Sequence, residues 1–521
     1  MKISDETTEE HLRHYLSISS QFHLGKLPTE QSHPDTQNLS RLAKDDLESA
    51  LQVLKSVDRK AVDVLLEERE GLKLLTERIR KTFENGKRVY LVGCGATGRL
   101  SIALETIWRQ LNSGTAKTDS VRSFMAGGDV ALIKSIESFE DVPEFAKRQL
   151  VESEFQDGDL LIGCSEGGET PFVIGAVEEA SILSSNPPFF LYCNPDSILS
   201  LVAERSRKII GNPNVEKISL ETGPMAVSGS TRMQATTVLM AAVGYCLLNV
   251  NKPFEAIFER ICSFITAWEN LDTSFLVPFI EKESECYLRN EYLLYETNEI
   301  YGISILTDTT ERAPTFSLLP FENKNSPQNL SWCYLFFPHV RESEAAWNLL
   351  LQRPPRTLEW SEINGIASRS RLLGYDFSQG LLENRMMVAR DLIHHHFKIY
   401  QVPEGISLAL GDLEYLLLTK DLDRLTEHLL LKLVLNTHST LIMGRLGRYE
   451  GNVMTWVRAS NFKLIDRAIR YIDRILQKEK IHLTYEEIAK RCFQKMAVLR
   501  EDQPLVLEVV RDVRAKSDAW E

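Results

Sequence analysis

The sequence is poor in several features that would each have settled a class. Its eight cysteines are scattered over 521 residues without a C-x-x-C pair, which argues against a zinc ribbon, a redox motif or a disulfide framework. Several of them sit inside apolar runs, where a thiol behaves as a small hydrophobe, so a reducing compartment is the expectation. Positive charge is also short. With 60 Lys and Arg against 73 Asp and Glu, the formal charge of -13 speaks against a surface built for nucleic acid or acidic lipid. Long apolar stretches are missing too: the greasiest run, TTVLMAAVGYCLLNV at 236–250, falls short of a bilayer span. The opening MKISDETTEEHLRHYL is polar and acidic, with no apolar core of a signal peptide, so a cytoplasmic protein is expected. Collagen, heptad and low-complexity patterns are absent, which leaves a globular chain long enough for two or three cores.

What is present begins with helical periodicity in LAKDDLESALQVLKSV and DRKAVDVLLEEREGLKLLTERIRKTFENG, stopped by Gly86. Short apolar runs then alternate with helix-length segments. RVYLVG, SFMAGG, DLLIGCS, FFLYCN and VEKISLETG are the strand candidates, and helices are expected from near Arg99, Leu132, Pro171 and Ser197. Such alternation predicts a parallel sheet covered by helices on both faces, with ligands bound off the carboxyl ends of its strands.

Three of the loops at those ends are rich in Gly, Ser and Thr: GCGATGR (93–99), GCSEGGETP (163–171) and GPMAVSGSTRM (223–233). Each precedes a helix pattern whose free amides suit an anion. Gly93, Gly95 and Gly98 fit G-x-G-x-x-G, yet a dinucleotide site wants an acidic residue about 20 positions on, at the end of the second strand. Asp129 lies about 30 positions past Gly98, in an expected turn, and no Lys followed by Ser or Thr closes the loop as a nucleotide-binding P-loop would. A compact phosphomonoester fits better, held by the hydroxyls of Thr97, Ser165, Ser230 and Thr231 with helix-start amides. The plainer reading, tight turns with helix caps, suits any one loop taken alone.

Setting Gly98 on Gly302 aligns RVYLVGCGATGRLSIALETI with EYLLYETNEIYGISILTDTTE, an altered repeat that keeps strand and helix and loses the glycines. SWCYLFFP and ESEAAWNLLL continue the alternation, and two related α/β domains packed face to face are expected. The run His394, His395 and His396 is read on a solvated helical face. From about Asp421 the pattern turns helical, and Lys432 in LLLKLVLN is expected to snorkel outward.

The stretches TEQSHPDTQNLS, GCGATGRL, AGGDVALIKSIESFEDV, GPMAVSGSTRM and KLVLNTHSTLIMGRLGRYEGNVMTWVRASNFKLIDRA resemble the sugar isomerase (SIS) proteins of the N-acetylmuramic acid 6-phosphate etherase and glucokinase regulatory protein group. That resemblance implies two SIS domains with flavodoxin-like parallel sheets, forming a pseudo-dimer, and an all-helical lid. The expected division is a helical leader over 1–76, SIS domains over 77–280 and 281–418, and the lid over 419–521. It also implies a sugar phosphate as ligand, a sugar kinase as partner, and no cofactor or metal. Ala96 and Thr97 would touch the ligand, Ala96 standing where a threonine is usual. Ser165 and Gly167 would line it, Ser230 and Thr231 would take its phosphate, and Lys432 would close from the lid. Glu140 matches a carboxylate that is catalytic in the etherases and binds sugar hydroxyls in the regulatory protein. The second etherase glutamate is Ile107 in the first repeat and survives as Glu311 in the second, so Glu140 and Glu311 are expected to share one composite pocket. Met225 and Gln234 depart from the etherase pattern. Two functions follow from the resemblance: a ligand-responsive sensor, and a lyase that eliminates D-lactate with Glu140 and Glu311 as its acid and base.

Overall fold

The computed structural model describes residues 5–22, 24–327, 329–457, 459, 461–500 and 503–517. It is an α/β protein with two five-stranded sheets and a helical C-terminal extension.

The first sheet contains β1 (Val89–Gly93), β2 (Val121–Met125), β3 (Leu160–Cys164), β4 (Phe189–Tyr192) and β5 (Glu216–Ser219), in the order β2-β1-β3-β4-β5. All four pairings are parallel. β1 and β3 are buried along their whole length, as continuous apolar runs covered on both faces must be. The second sheet contains β6 (Tyr292–Glu296), β7 (Cys333–Phe336), β8 (His394–Val402), β9 (Gly405–Leu410) and β10 (Leu413–Leu418), in the order β10-β9-β8-β6-β7. Here the expectation of a parallel sheet needs correction. β6 pairs in parallel with β7 and β8, while β8, β9 and β10 form an antiparallel meander. The turn between β9 and β10 places Gly411 at φ +64, a left-handed conformation that favours glycine.

The three histidines fall on β8 and not on a helix. His395 and His396 reach across to Glu291 and Glu296, each at 2.7 Å. The residues after them, FKIYQV, are strand formers, and pairing on both sides overrides any helical spacing.

The repeat aligned on Gly98 and Gly302 is visible as β1 with the helix Ala96–Leu111 and β6 with the helix Gly302–Phe316. These two helices pack on one another, and Arg99 Nε of the first donates to Thr310 Oγ1 of the second. A further tie joins the halves where Arg353 and Arg356 reach Glu105 and Asp129. The helix Arg424–Arg445 is buried from Leu425 to Gly444 and packs on helices from both halves. Phe462–Lys478, Tyr485–Met496 and Leu505–Ser517 then form a three-helix cluster. Among the described residues, no helix is long and apolar enough to cross a membrane.

Candidate functional site

A cleft of about 970 Å3, counting its open mouth, lies at the carboxyl ends of β1, β2 and β3. Its walls come from the β1 loop, the 229–232 loop, the second-half helix Gly302–Phe316 and the start of the helix Phe462–Lys478.

The β1 loop owes its shape to its glycines. Gly95 has φ +56; a Cβ on Gly93 would lie 2.2 Å from the Thr97 carbonyl carbon, and one on Gly98 would lie 2.6 Å from Met125 Cβ. Without side chains at these points, the chain turns straight into a helix starting at Ala96, which lines the cleft. Thr97 does not line it. Its hydroxyl accepts from Cys94 N and donates to Cys94 O, locking the turn.

Ser165 and Gly167 also stand outside the lining. The Ser165 hydroxyl accepts from Gly168 N and donates to Thr170 Oγ1, and the Gly167 carbonyl accepts from Asn194. The cleft instead meets their neighbour Glu166, which the sequence reading passed over. Its Oε1 accepts from the hydroxyls of Thr231 and Thr236, at 3.4 and 3.2 Å, and burial pushes its carboxyl up to about 7.

Ser230 and Thr231 line the cleft, and among the described residues the buried Ser230 hydroxyl has no partner of its own. Lys432 holds this loop from behind. It is buried, contrary to the snorkelling expectation, and its ammonium donates to Arg232 O, Thr237 Oγ1 and Asn436 Oδ1. Three acceptors use all three of its donors, so Lys432 fixes the loop and does not itself line the cleft. Arg232 in turn pairs with Asp308 of the second half at 3.1 Å.

Glu140 and Glu311 both face the cleft. Glu140 is engaged at 2.6 Å by Lys463 and at 3.2 Å by Asn461, at the start of the C-terminal helix cluster. Asn461 also caps that helix by accepting from Leu464 N. Burial works against the charge of Lys463, but Glu140 and Glu169 overrule it and hold the ammonium well above the ordinary lysine range. Lys463 and Asn461 lie within a motif already singled out, yet only their position opposite Glu140 marks them as site residues. Glu311 is different. It is 2% exposed, neither oxygen has a hydrogen-bond partner among the described residues, and burial raises its carboxyl. Ile107, its counterpart in the repeat, is fully buried in apolar surroundings.

Among the described residues, nothing in this lining offers the Cys or His cluster of a transition-metal centre, and no phosphate-binding lysine closes the β1 loop. The cleft provides hydroxyls, a helix start, one lysine, three arginines and three carboxylates at the switch point of a parallel sheet. Such an arrangement defines a small-molecule site of the SIS class.

Residues 72–181 match the model of the glucokinase regulatory protein N-terminal SIS domain. An N-acetylmuramic acid 6-phosphate etherase of Clostridium botulinum (strain Loch Maree / Type A3) is 33% identical over 214 residues, which are 41% of this chain and 65% of that protein. One from Actinobacillus pleuropneumoniae serotype 7 is 30% identical over 254 residues, 46% of this chain and 76% of the relative. The chain belongs to the SIS family that holds these etherases and the glucokinase regulatory protein. Among solved structures, the C-terminal domain of glucosamine-fructose-6-phosphate aminotransferase from Francisella tularensis aligns over 74% of this chain and 95% of its own, with a TM-score of 0.33 and 10% identity.

Proposed function

We propose that the protein binds a sugar phosphate in this cleft and acts as a ligand-responsive regulator, with a sugar kinase as the expected kind of partner. The carrying observation is the make-up of the wall. First-sheet loops, Glu311 of the second half and Lys463 of the C-terminal helices all meet there, so an occupant touches all three parts of the molecule at once. The phosphate would lie against Ser230 and the helix start at Ala96, and the sugar would reach Glu140 and Glu311. A ligand that competes for Glu140 changes the balance of the Glu140–Lys463 pair, and with it the seating of the helix cluster.

A second reading is favoured by the raised carboxyls of Glu166 and Glu311. A lyase needs one carboxylate to take the proton beside the anomeric carbon and one carboxylic acid to protonate the departing lactate oxygen. The names of the curated relatives point the same way. The deciding experiment offers N-acetylmuramic acid 6-phosphate to the purified protein and follows D-lactate release alongside amide exchange of residues 462–478. Quickened exchange without lactate supports the regulator. Lactate release that Glu140→Gln and Glu311→Gln both abolish establishes the lyase.

A further inference from the structure

Among the described residues outside the cleft, one group of three side chains brings sulfur, nitrogen and oxygen donors together. Cys286 lies in the last turn of the helix Leu276–Leu288, Glu291 stands just before β6, and His395 is on β8. Their ligand atoms all lie within 4.8 Å of one another, and His395 Nε2 and Glu291 Oε2 are 2.7 Å apart. The neighbouring cation shows what the group attracts. Arg289 donates through Nη2 to Glu291 Oε2 at 3.0 Å and to Cys286 Sγ at 3.8 Å, so a guanidinium already bridges the carboxylate and the thiol. It is not locked there. The Arg289 side chain is half exposed, and a second carboxylate, Glu285, lies 3.6 Å from its Nη1.

We propose that Cys286, Glu291 and His395 form a site for a divalent transition cation of zinc's class, which clips the end of the helix Leu276–Leu288 to β6 and β8. A thiolate, an imidazole and a carboxylate suit zinc and not calcium or magnesium, and one thiolate with one carboxylate balances the charge of the ion. Cys286 is buried while the His395 side chain is partly exposed, so three positions are closed by the protein and water takes the fourth. On binding, Arg289 swings to Glu285 and the Cys286 thiol gives its proton to solvent. The proton shared by His395 and Glu291 leaves the ring nitrogen that meets the metal. None of the three residues lines the cleft, so this site stands or falls apart from the phosphosugar reading.

Cobalt is the probe, because a thiolate bound to Co2+ gives a near-ultraviolet charge-transfer band and zinc binds the same donors more tightly. The full chain, kept reduced at about pH 7.5, above the ordinary imidazole range, is titrated with Co2+ and then with Zn2+. One equivalent of Co2+ is expected to raise the band, and Zn2+ to remove it and to raise the melting temperature. Cys286→Ser is expected to abolish the band. His395→Gln should weaken Co2+ binding by about a hundredfold, the upper end of what loss of an outer-shell partner costs. Arg289→Ala removes the competing cation and should tighten binding by about threefold or more. Melting curves without metal check that the variants fold, and His395→Gln carries the test if Cys286→Ser does not. No band, a band retained in Cys286→Ser, or an affinity unchanged by His395→Gln or not tightened by Arg289→Ala overturns the site.

Discussion

Glu166 and Glu30 show how two buried carboxylates can have opposite consequences for stability. Burial holds the Glu166 carboxyl up at about 7, above its ordinary value of 4.5, so the folded chain binds the extra proton between those limits. Its contribution is therefore greatest below about 4.5 and is lost as the pH rises to about 7. Glu166→Gln is expected to stabilise the protein at pH 8 by up to about 3 kcal/mol and to change little near pH 4.5, as read from denaturation midpoints at the two pH values. For Glu30 burial alone would raise the carboxyl, but Arg467 and Arg470 overrule it and hold it down to about 2. That stability is complete above about 4.5 and is lost as the pH falls toward 2. Glu30→Gln leaves Arg467 without its counter-charge and Arg470 with Asp466 alone, and a loss of about 3–5 kcal/mol is expected at pH 7.

At the scale of the element, the glycine turn after β1 is the most exacting piece. Gly98→Ala is expected to cost about 1–3 kcal/mol or more, because it meets Met125 Cβ, fixed to the buried strand β2, and Gly93→Ala, which meets main-chain atoms of Thr97 still more closely, should cost more again. Thermal unfolding of the two variants ranks them. The strands and helices of the first sheet are legible in the sequence because buried parallel strands read as unbroken apolar runs. β8 to β10 are not, since a half-exposed meander shares its polar positions with loops. The alternation in FKIYQV and the Gly411-Asp412 turn are the signals that could have found it. Glu140, Glu311, Ser230, Thr231 and Ala96 were reachable through motifs and do face the cleft. Thr97, Ser165, Gly167 and Lys432 lie behind its surface, because residues that build a loop and residues that touch what it holds occupy the same few positions in a motif. Lys463 could not be found by spacing at all, since its partner Glu140 is more than three hundred residues away along the chain.

At the scale of the whole molecule, a few ion pairs join parts that differ in sequence and form. Arg353 and Arg356 draw the second half onto Glu105, and although burial alone would raise that carboxyl, they hold it well below the usual range. Lys463 performs the same service for the C-terminal helices. Lys463→Met removes the cation facing Glu140, and amide exchange over 462–478 is expected to quicken by roughly tenfold while β1 and β3 stay protected, as mass spectrometry would show.

The repeat has one further consequence. Glu311 faces the cleft, whereas the equivalent position in the other half is the apolar Ile107. A dimer of identical subunits would carry two equivalent sites and could communicate between them. Fusing two unlike halves into one chain leaves a stoichiometry of one: titration of the monomer should saturate at a single equivalent with a hyperbolic isotherm. Any sigmoidal response would then have to arise from association between chains and would vary with protein concentration.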